Sequence, residues 1–320
     1  MKGKTIDRPK GRTIDQLKAE NFLQDFSKRL SRIYGEEIDF ILLFGSAARG
    51  QFVLGKSDVD LVIQIKKDIM VKEIEAYAEK IFWELDKKHG MMQKKVCSTG
   101  KSTNLLENAL KAVEKQVRLY KPFEVFGPND IDWNRGMIKR LDLMPGAIMV
   151  ASQLTLLYKM KHEGKILYGR DIRKLIKPRF TLWERLKAVW VPQSIGFAAV
   201  VFALILPKKS VAYASKAIFY EVESVNLFLK GKIPKRKESE FANATAFKEG
   251  SLDYLRFYLE VRFELLPKQK LAFIKKAALI KKQGFKGSRR DALKFCWKAF
   301  GIIYSVNSNI ILKTFSGKKL

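Results

Sequence analysis

The sequence predicts an α+β chain, with a mixed sheet and flanking helices on the N-terminal side, followed by an all-α helical domain. Three observations carry this. Up to about residue 172, short apolar runs alternate with amphipathic stretches at helical spacing. From about 175 onward only helical periodicity is visible. The charge shifts at the same place: residues 176–320 hold 29 Lys+Arg and 10 Asp+Glu, net +19, against net +10 for residues 1–175. The expected division is a basic extension at 1–13, an α+β domain at 14–174 and a basic helical domain at 175–320.

Thr13 or Asp15 can cap a first helix, whose Leu17, Phe22, Phe26, Leu30, Ile33 and Tyr34 recur at roughly helical spacing until Gly35. Residues 38–44 read as a buried strand, 46–50 as the start of a short helix, and 58–65 as a second strand. A helix is expected over 71–88, with Ile74, Tyr77, Ile81, Phe82 and Leu85 as its apolar stripe and Gly90 as its stop. A strand at 92–99, a helix at 103–120 and a strand at 122–126 follow, then a turn at 127–130. Residues 136–163 look mainly helical, and 162–172 form a turn, a short strand and an exit. Helices are expected at 181–206, 209–230, 239–266, 268–283 and 288–314, with a charged linker at 231–240.

The net charge of +29 implies a polyanionic partner: nucleic acid, nucleotide or an anionic membrane. The two cysteines, Cys97 and Cys296, are far apart, which argues against a disulfide scaffold or zinc module and suits a reducing, cytoplasmic setting. No secretory signal is visible at the N-terminus. Residues 189–206 carry no charge, but Pro192, Gln193, Ser194 and Gly196 interrupt their first half, so a buried helix is expected and no membrane partner.

The chemistry concentrates in residues 38–66, IDFILLFGSAARGQFVLGKSDVDLVIQIK. On a strand, Asp58 and Asp60 would share one face while Val59 and Leu61 point to the core. Two carboxylates so placed can converge on Mg²⁺, which takes oxygen ligands and shares them with phosphates. Gly45 permits a tight turn, and Ser46 can open a helix whose N–H groups face a phosphate. Arg49 either reaches phosphate or pins the turn. Together these parts suit nucleotidyl transfer by charge neutralisation and in-line positioning.

The order Gly45, Ser46, Arg49, Gly50, then Ser57, Asp58, Asp60, Leu61 resembles the nucleotidyltransferase superfamily that includes DNA polymerase beta. It is most similar to the minimal branch with a G-S-x-x-R-G…S-D-x-D-L motif. The resemblance covers residues 14–172, ending on Gly164, Leu167 and Tyr168. It implies an NTP substrate, expected to be ATP, two Mg²⁺ ions held by Asp58 and Asp60, and nucleotide contacts from Gly45, Ser46, Arg49 and Ser57. It also implies a third carboxylate on a neighbouring strand. The minimal members place it in a Lys-Val-Asp-like context, which here reads Lys95-Val96-Cys97. A thiol is a poor substitute on a hard cation. Glu124, on the next strand, is the expected replacement, ahead of Asp130 and Asp132.

The expected activity is Mg²⁺-dependent transfer of an NMP from an NTP to a hydroxyl on an RNA end, a small molecule or a protein. The alternative is a catalytically inactive nucleotide- or RNA-binding regulator on the same fold. The basic helical half is the expected seat for RNA or another polyanion. With His89 and His162 the only histidines, histidine-based RNase chemistry in that half is excluded. Ser288 and Asp291 fit a capping box at the start of the last helix.

Overall fold

The computed structural model describes residues 13–50, 52–55, 57–93, 122–139, 152–228 and 268–315. The expected strand at 92–99 and helices at 103–120 and 239–266 lie wholly or mostly outside these, as does Cys97. The chain divides into two compact units, one comprising Met1–Ile148 and Leu156–Pro178, the other Met149–Thr155 and Arg179–Leu320.

In the first unit, helix α1 (Ile14–Tyr34) opens with a capping box: the Thr13 hydroxyl accepts from the Gln16 N–H, and the Gln16 side chain accepts from the Thr13 N–H. Such a cap contributes about 1 kcal/mol. Asp15, the other expected cap, instead accepts from the Leu54 N–H at 3.0 Å. Strand β1 (Ile38–Phe44) runs antiparallel to β2 (Asp60–Ile65) and to β6 (Lys165–Gly169), while β2 runs parallel to β3 (Phe123–Phe126). The order is β3-β2-β1-β6, a mixed sheet as the alternation predicts.

Both faces of the sheet are covered, which explains why the central strands are almost wholly apolar. Ile41, Leu43, Leu61, Ile63, Phe123 and Val125 pack with α1 and with α3 (Val71–His89). Phe22, Phe26, Phe82 and Phe123 form the aromatic centre of that layer, with Phe22 and Phe82 edge to face at 5.0 Å. Phe40, Leu42, Val62 and Phe126 face the other way, against Leu157 and Met160 of α4 (Gln153–Glu163) and Ile131 and Ile138. Ile131 and Ile138 pair across a short antiparallel ladder, β4 (Ile131–Asp132) with β5 (Met137–Ile138). The expectation of helix from 136 is corrected there: two-residue strands carry no readable periodicity. The second strand also starts later than expected, because the β1 ladder begins at Phe44 opposite Asp60. Asp58 and Val59 precede it.

The regular secondary structure of the second unit is all helical among its described residues. Helices α5 (Leu182–Phe202), α6 (Pro207–Phe228), α7 (Lys268–Gln283) and α8 (Arg289–Phe315) surround a core of Val211, Ala214, Ile218, Phe273, Phe295, Ile303 and Val306. No described helix is long and apolar enough to cross a membrane. Helix α5 is not buried all round, as residues 189–206 suggested. Val189, Pro192, Gly196 and Ala199 face the core, while Trp190, Phe197 and Val201 are exposed. The Ser288–Asp291 box forms as expected, each residue bonding the other's backbone N–H at 3.0–3.2 Å.

Candidate active site

The site lies where β1 ends and β2 begins. Gly45 leaves β1 at φ +73°, in the left-handed region that favours glycine. A β-carbon at this position would overlap Oδ2 of Asp60. The turn and the carboxylate are thus in direct packing contact, brought there by the Phe44–Asp60 pairing. Gly45 begins α2 (Gly45–Ala48), a single turn that holds Ser46 half-buried.

Three braces fix this turn and the loop after it. The Arg49 guanidinium pairs with the Glu163 carboxylate at the end of α4, both side chains little more than a fifth exposed. The Gln16 amide donates to the Gly50 carbonyl. Ser57 closes the 53–57 loop: its N–H donates to the Val53 carbonyl at 2.9 Å and its hydroxyl accepts from the Val53 N–H at 3.0 Å. For Arg49, the structure supplies the turn-pinning partner that the sequence left open beside phosphate contact. Ser57, in accepting from Val53, keeps its own hydroxyl hydrogen for donation.

Asp58 and Asp60 are both half-buried, with Val59 wholly buried between them. Glu124 stands beside Val62 in the parallel β2–β3 ladder, on the sheet face that also carries Asp60. At about 4.8 Å between strands and about 3.3 Å per residue, its Cα is about 8 Å from that of Asp60. Asp130 and Asp132 take other work: Asp130 accepts from the Gly127 N–H at 2.8 Å, and Asp132 from the Arg135 N–H at 2.9 Å. Among the described residues, no group of three or more His, Cys, Asp or Glu forms a metal-holding cluster.

The donor set nevertheless suits Mg²⁺. It offers carboxylate oxygens and no soft ligand, and Mg²⁺ is ordinarily held by one or two carboxylates plus substrate phosphates rather than by a protein cage. The cradle at Gly45, which a side chain would fill, leaves backbone next to Asp60 for a phosphate to approach.

Sequence reasoning missed Gln93. Its side-chain amide donates to the Ser57 carbonyl at 3.1 Å and accepts from the Val59 N–H at 3.0 Å. It also missed Asp86, whose carboxylate accepts from the Gln93 N–H at 2.9 Å and whose pKa burial raises. A single glutamine after a helix stop carries no motif that would have revealed it.

A family model described as a nucleotidyltransferase domain matches residues 23–112. No curated protein matches the chain. Among solved structures, spectinomycin adenyltransferase AAD(9) from Enterococcus faecialis, crystallised with ATP and spectinomycin, is similar at 14% identity and a TM-score of 0.41. That similarity covers 88% of this chain and 98% of the other. The Gly45-Ser46 turn and the Asp58-x-Asp60 pair both fall within the residues 23–112 that match the nucleotidyltransferase domain.

Proposed function

We propose that the protein is a Mg²⁺-dependent nucleotidyltransferase that moves an NMP from an NTP, with ATP the expected donor, to a hydroxyl acceptor. The observation that carries this reading is the packing of the Asp60 carboxylate against Gly45, which puts a metal-binding group and a phosphate-binding turn side by side. Asp58 and Asp60 would hold Mg²⁺, which when bound neutralises triphosphate charge and lowers the pKa of the attacking hydroxyl. Gly45 and Ser46 receive the triphosphate, through backbone approach and a hydroxyl donor. Ser57 offers a second hydroxyl, and Arg49 keeps the turn in place through Glu163.

In the reaction, the acceptor oxygen bonds to the α-phosphorus as the bridging bond to the β-phosphate breaks. Pyrophosphate leaves with the bonding electrons. The acceptor proton goes to Glu124, the proposed base, whose position on the Asp60 face supports the role. The net +19 of residues 176–320 favours RNA or another polyanion as acceptor over an uncharged one.

The test is incubation with α-labelled ATP, GTP, CTP or UTP, Mg²⁺ and short RNA. Wild type should transfer the α-label onto the RNA as unlabelled pyrophosphate leaves, while Asp58→Ala and Asp60→Ala reduce the transfer at least about 100-fold. Glu124→Gln should lower kcat with little change in KM for the nucleotide. Equal signal from all proteins would remove the transferase reading. Binding of NTP without turnover would leave the inactive nucleotide-binding regulator in its place.

A further inference from the structure

We propose that Gln93 is a positioning residue that sets the backbone of Asp58 for metal binding. The proposal rests on the reading of Asp58 as a Mg²⁺ ligand. Asp58 lies upstream of the registered ladders: β1 pairing begins at Asp60 and β3 pairing at Leu61. At that point the Gln93 side chain takes over. It donates to the carbonyl of the residue before Asp58 and accepts from the N–H of the residue after it.

This is the bonding pattern of a parallel bridge, with a side-chain amide in place of a peptide group. In a parallel ladder, one residue bonds the carbonyl at i−1 and the N–H at i+1 of its neighbour. The Leu61 N–H, two residues beyond that of Val59, bonds the Pro122 carbonyl at the start of the parallel β3 strand. Gln93 therefore continues the β2–β3 pattern one step further, to the residue the chemistry needs.

The chain reaches that position at a conformational cost. Helix α3 stops at Gly90 in the left-handed conformation, with Gly90 and Met91 N–H groups bonded to the Lys87 and Asp86 carbonyls. Met92 follows at φ +57°, the one non-glycine residue with positive φ among those described. For such a residue that conformation costs roughly 1–2 kcal/mol. Met92 is 67% exposed, so core packing of its side chain does not explain the strain. What the two left-handed residues achieve is reversal of the chain, so that Gln93 faces back toward Asp58. Its backbone is then locked by the Asp86 carboxylate. Strain held in place by surrounding bonds is characteristic of positions that pre-organise a site.

The residue acts through Asp58, so its effect should appear in the metal dependence of nucleotide binding. The experiment measures a fluorescent ATP analogue, mant-ATP, binding to the full chain while Mg²⁺ is titrated. Gln93→Met keeps length and removes both hydrogen bonds; Gln93→Asn keeps the amide but withdraws it by one methylene. Both should raise the Mg²⁺ midpoint about 10-fold or more, as loss of outer-sphere support does elsewhere. Metal-free mant-ATP affinity should remain unchanged, which a general loosening of the fold would not produce. Asp58→Asn is the parent control. If it loses the Mg²⁺ response while both Gln93 variants match wild type, the Gln93 proposal is overturned and the Asp58 reading stands. If Asp58→Asn itself responds to Mg²⁺ as wild type does, the metal reading fails and the Gln93 proposal with it. Should Gln93→Met fail to fold by circular dichroism, the Gln93→Asn midpoint decides alone.

Discussion

Gly45 and Asp60 occupy each other's space so closely that neither position tolerates growth. Gly45→Ala would place a methyl group on Oδ2 of Asp60 and hold a non-glycine residue at φ +73°. The backbone term alone costs roughly 1–2 kcal/mol. The expected outcome is at least 10-fold weaker Mg²⁺-dependent NTP binding, with a lowered melting temperature; an alanine variant that binds like wild type would contradict the assigned geometry. Elsewhere, Glu221 of α6 is 3% exposed, and among the described residues neither carboxylate oxygen accepts a hydrogen bond. The amide of nearby Asn307 donates instead to the Val189 carbonyl at 3.1 Å and to the Gln193 side chain at 3.3 Å. Burial raises the Glu221 pKa well above 4.5. In the folded protein this carboxyl keeps its proton at pH values where the unfolded chain has lost it. The native state then binds more protons, so stability falls as pH rises above 4.5 toward the folded pKa. Urea denaturation at pH 5 and pH 8 should show wild type losing stability relative to Glu221→Gln by up to about 1.4 kcal/mol per pH unit in that window. Parallel pH profiles for the two proteins would refute it.

Among the elements, the short turn α2 depends on α4 for its position. Arg49 and Glu163 lie 114 residues apart in sequence and are mostly shielded from water, so their pairing should be worth more than a surface ion pair. Arg49→Ala and Glu163→Ala should each lower stability by about 1–3 kcal/mol, and the double variant by clearly less than their sum. Additive losses would show that the brace carries no energy. The elements also show what a sequence discloses. Helices α1 and α3 and strands β1 and β2 were legible because each buries a continuous apolar face, and α1, β1 and α3 are each followed by a glycine. The Ser288–Asp291 cap was legible because it needs only its own four residues. The β4–β5 ladder was not, since two residues per strand give no period. The late start of β2 was hidden for a related reason: Asp58 alternates as a strand residue does, yet the backbone groups on either side of it, the Ser57 carbonyl and the Val59 N–H, are bonded by the Gln93 side chain. Arg49 was legible as important but ambiguous in role, because its partner is fixed by tertiary packing alone.

At the scale of the whole molecule, the excess of basic residues is the dominant feature: 62 Lys+Arg against 33 Asp+Glu. Among the described residues, the core of the helical unit is apolar and alanine-rich, with Lys187 and Glu221 as its buried charged side chains, and the other described lysines and arginines of the unit leave a basic surface. If that surface tracks phosphates, the affinity for single-stranded RNA should fall linearly with salt on logarithmic axes, with a slope of about −0.7 per phosphate contacted. Filter binding between 50 and 200 mM salt reads the slope; absence of binding at low salt would remove RNA as partner. The integrity of this unit can be followed from within. Burial pushes the Cys296 thiol up to about 12, leaving it neutral and shielded at ordinary pH. In a Cys97→Ser background, iodoacetamide at pH 8 should modify Cys296 only when the helices open. Rapid alkylation of the native protein would mean that the unit opens readily.

The contact between Gly45 and the Asp60 carboxylate has a thermodynamic corollary. A ligand seated on the turn and a cation seated on the carboxylate press on the same few atoms, so their affinities are linked. Linkage is reciprocal: whatever factor the cation lends to nucleotide affinity, the nucleotide must return to the cation. Loading order would then be a matter of cellular concentrations and not of architecture, with either component able to arrive first and each retaining the other.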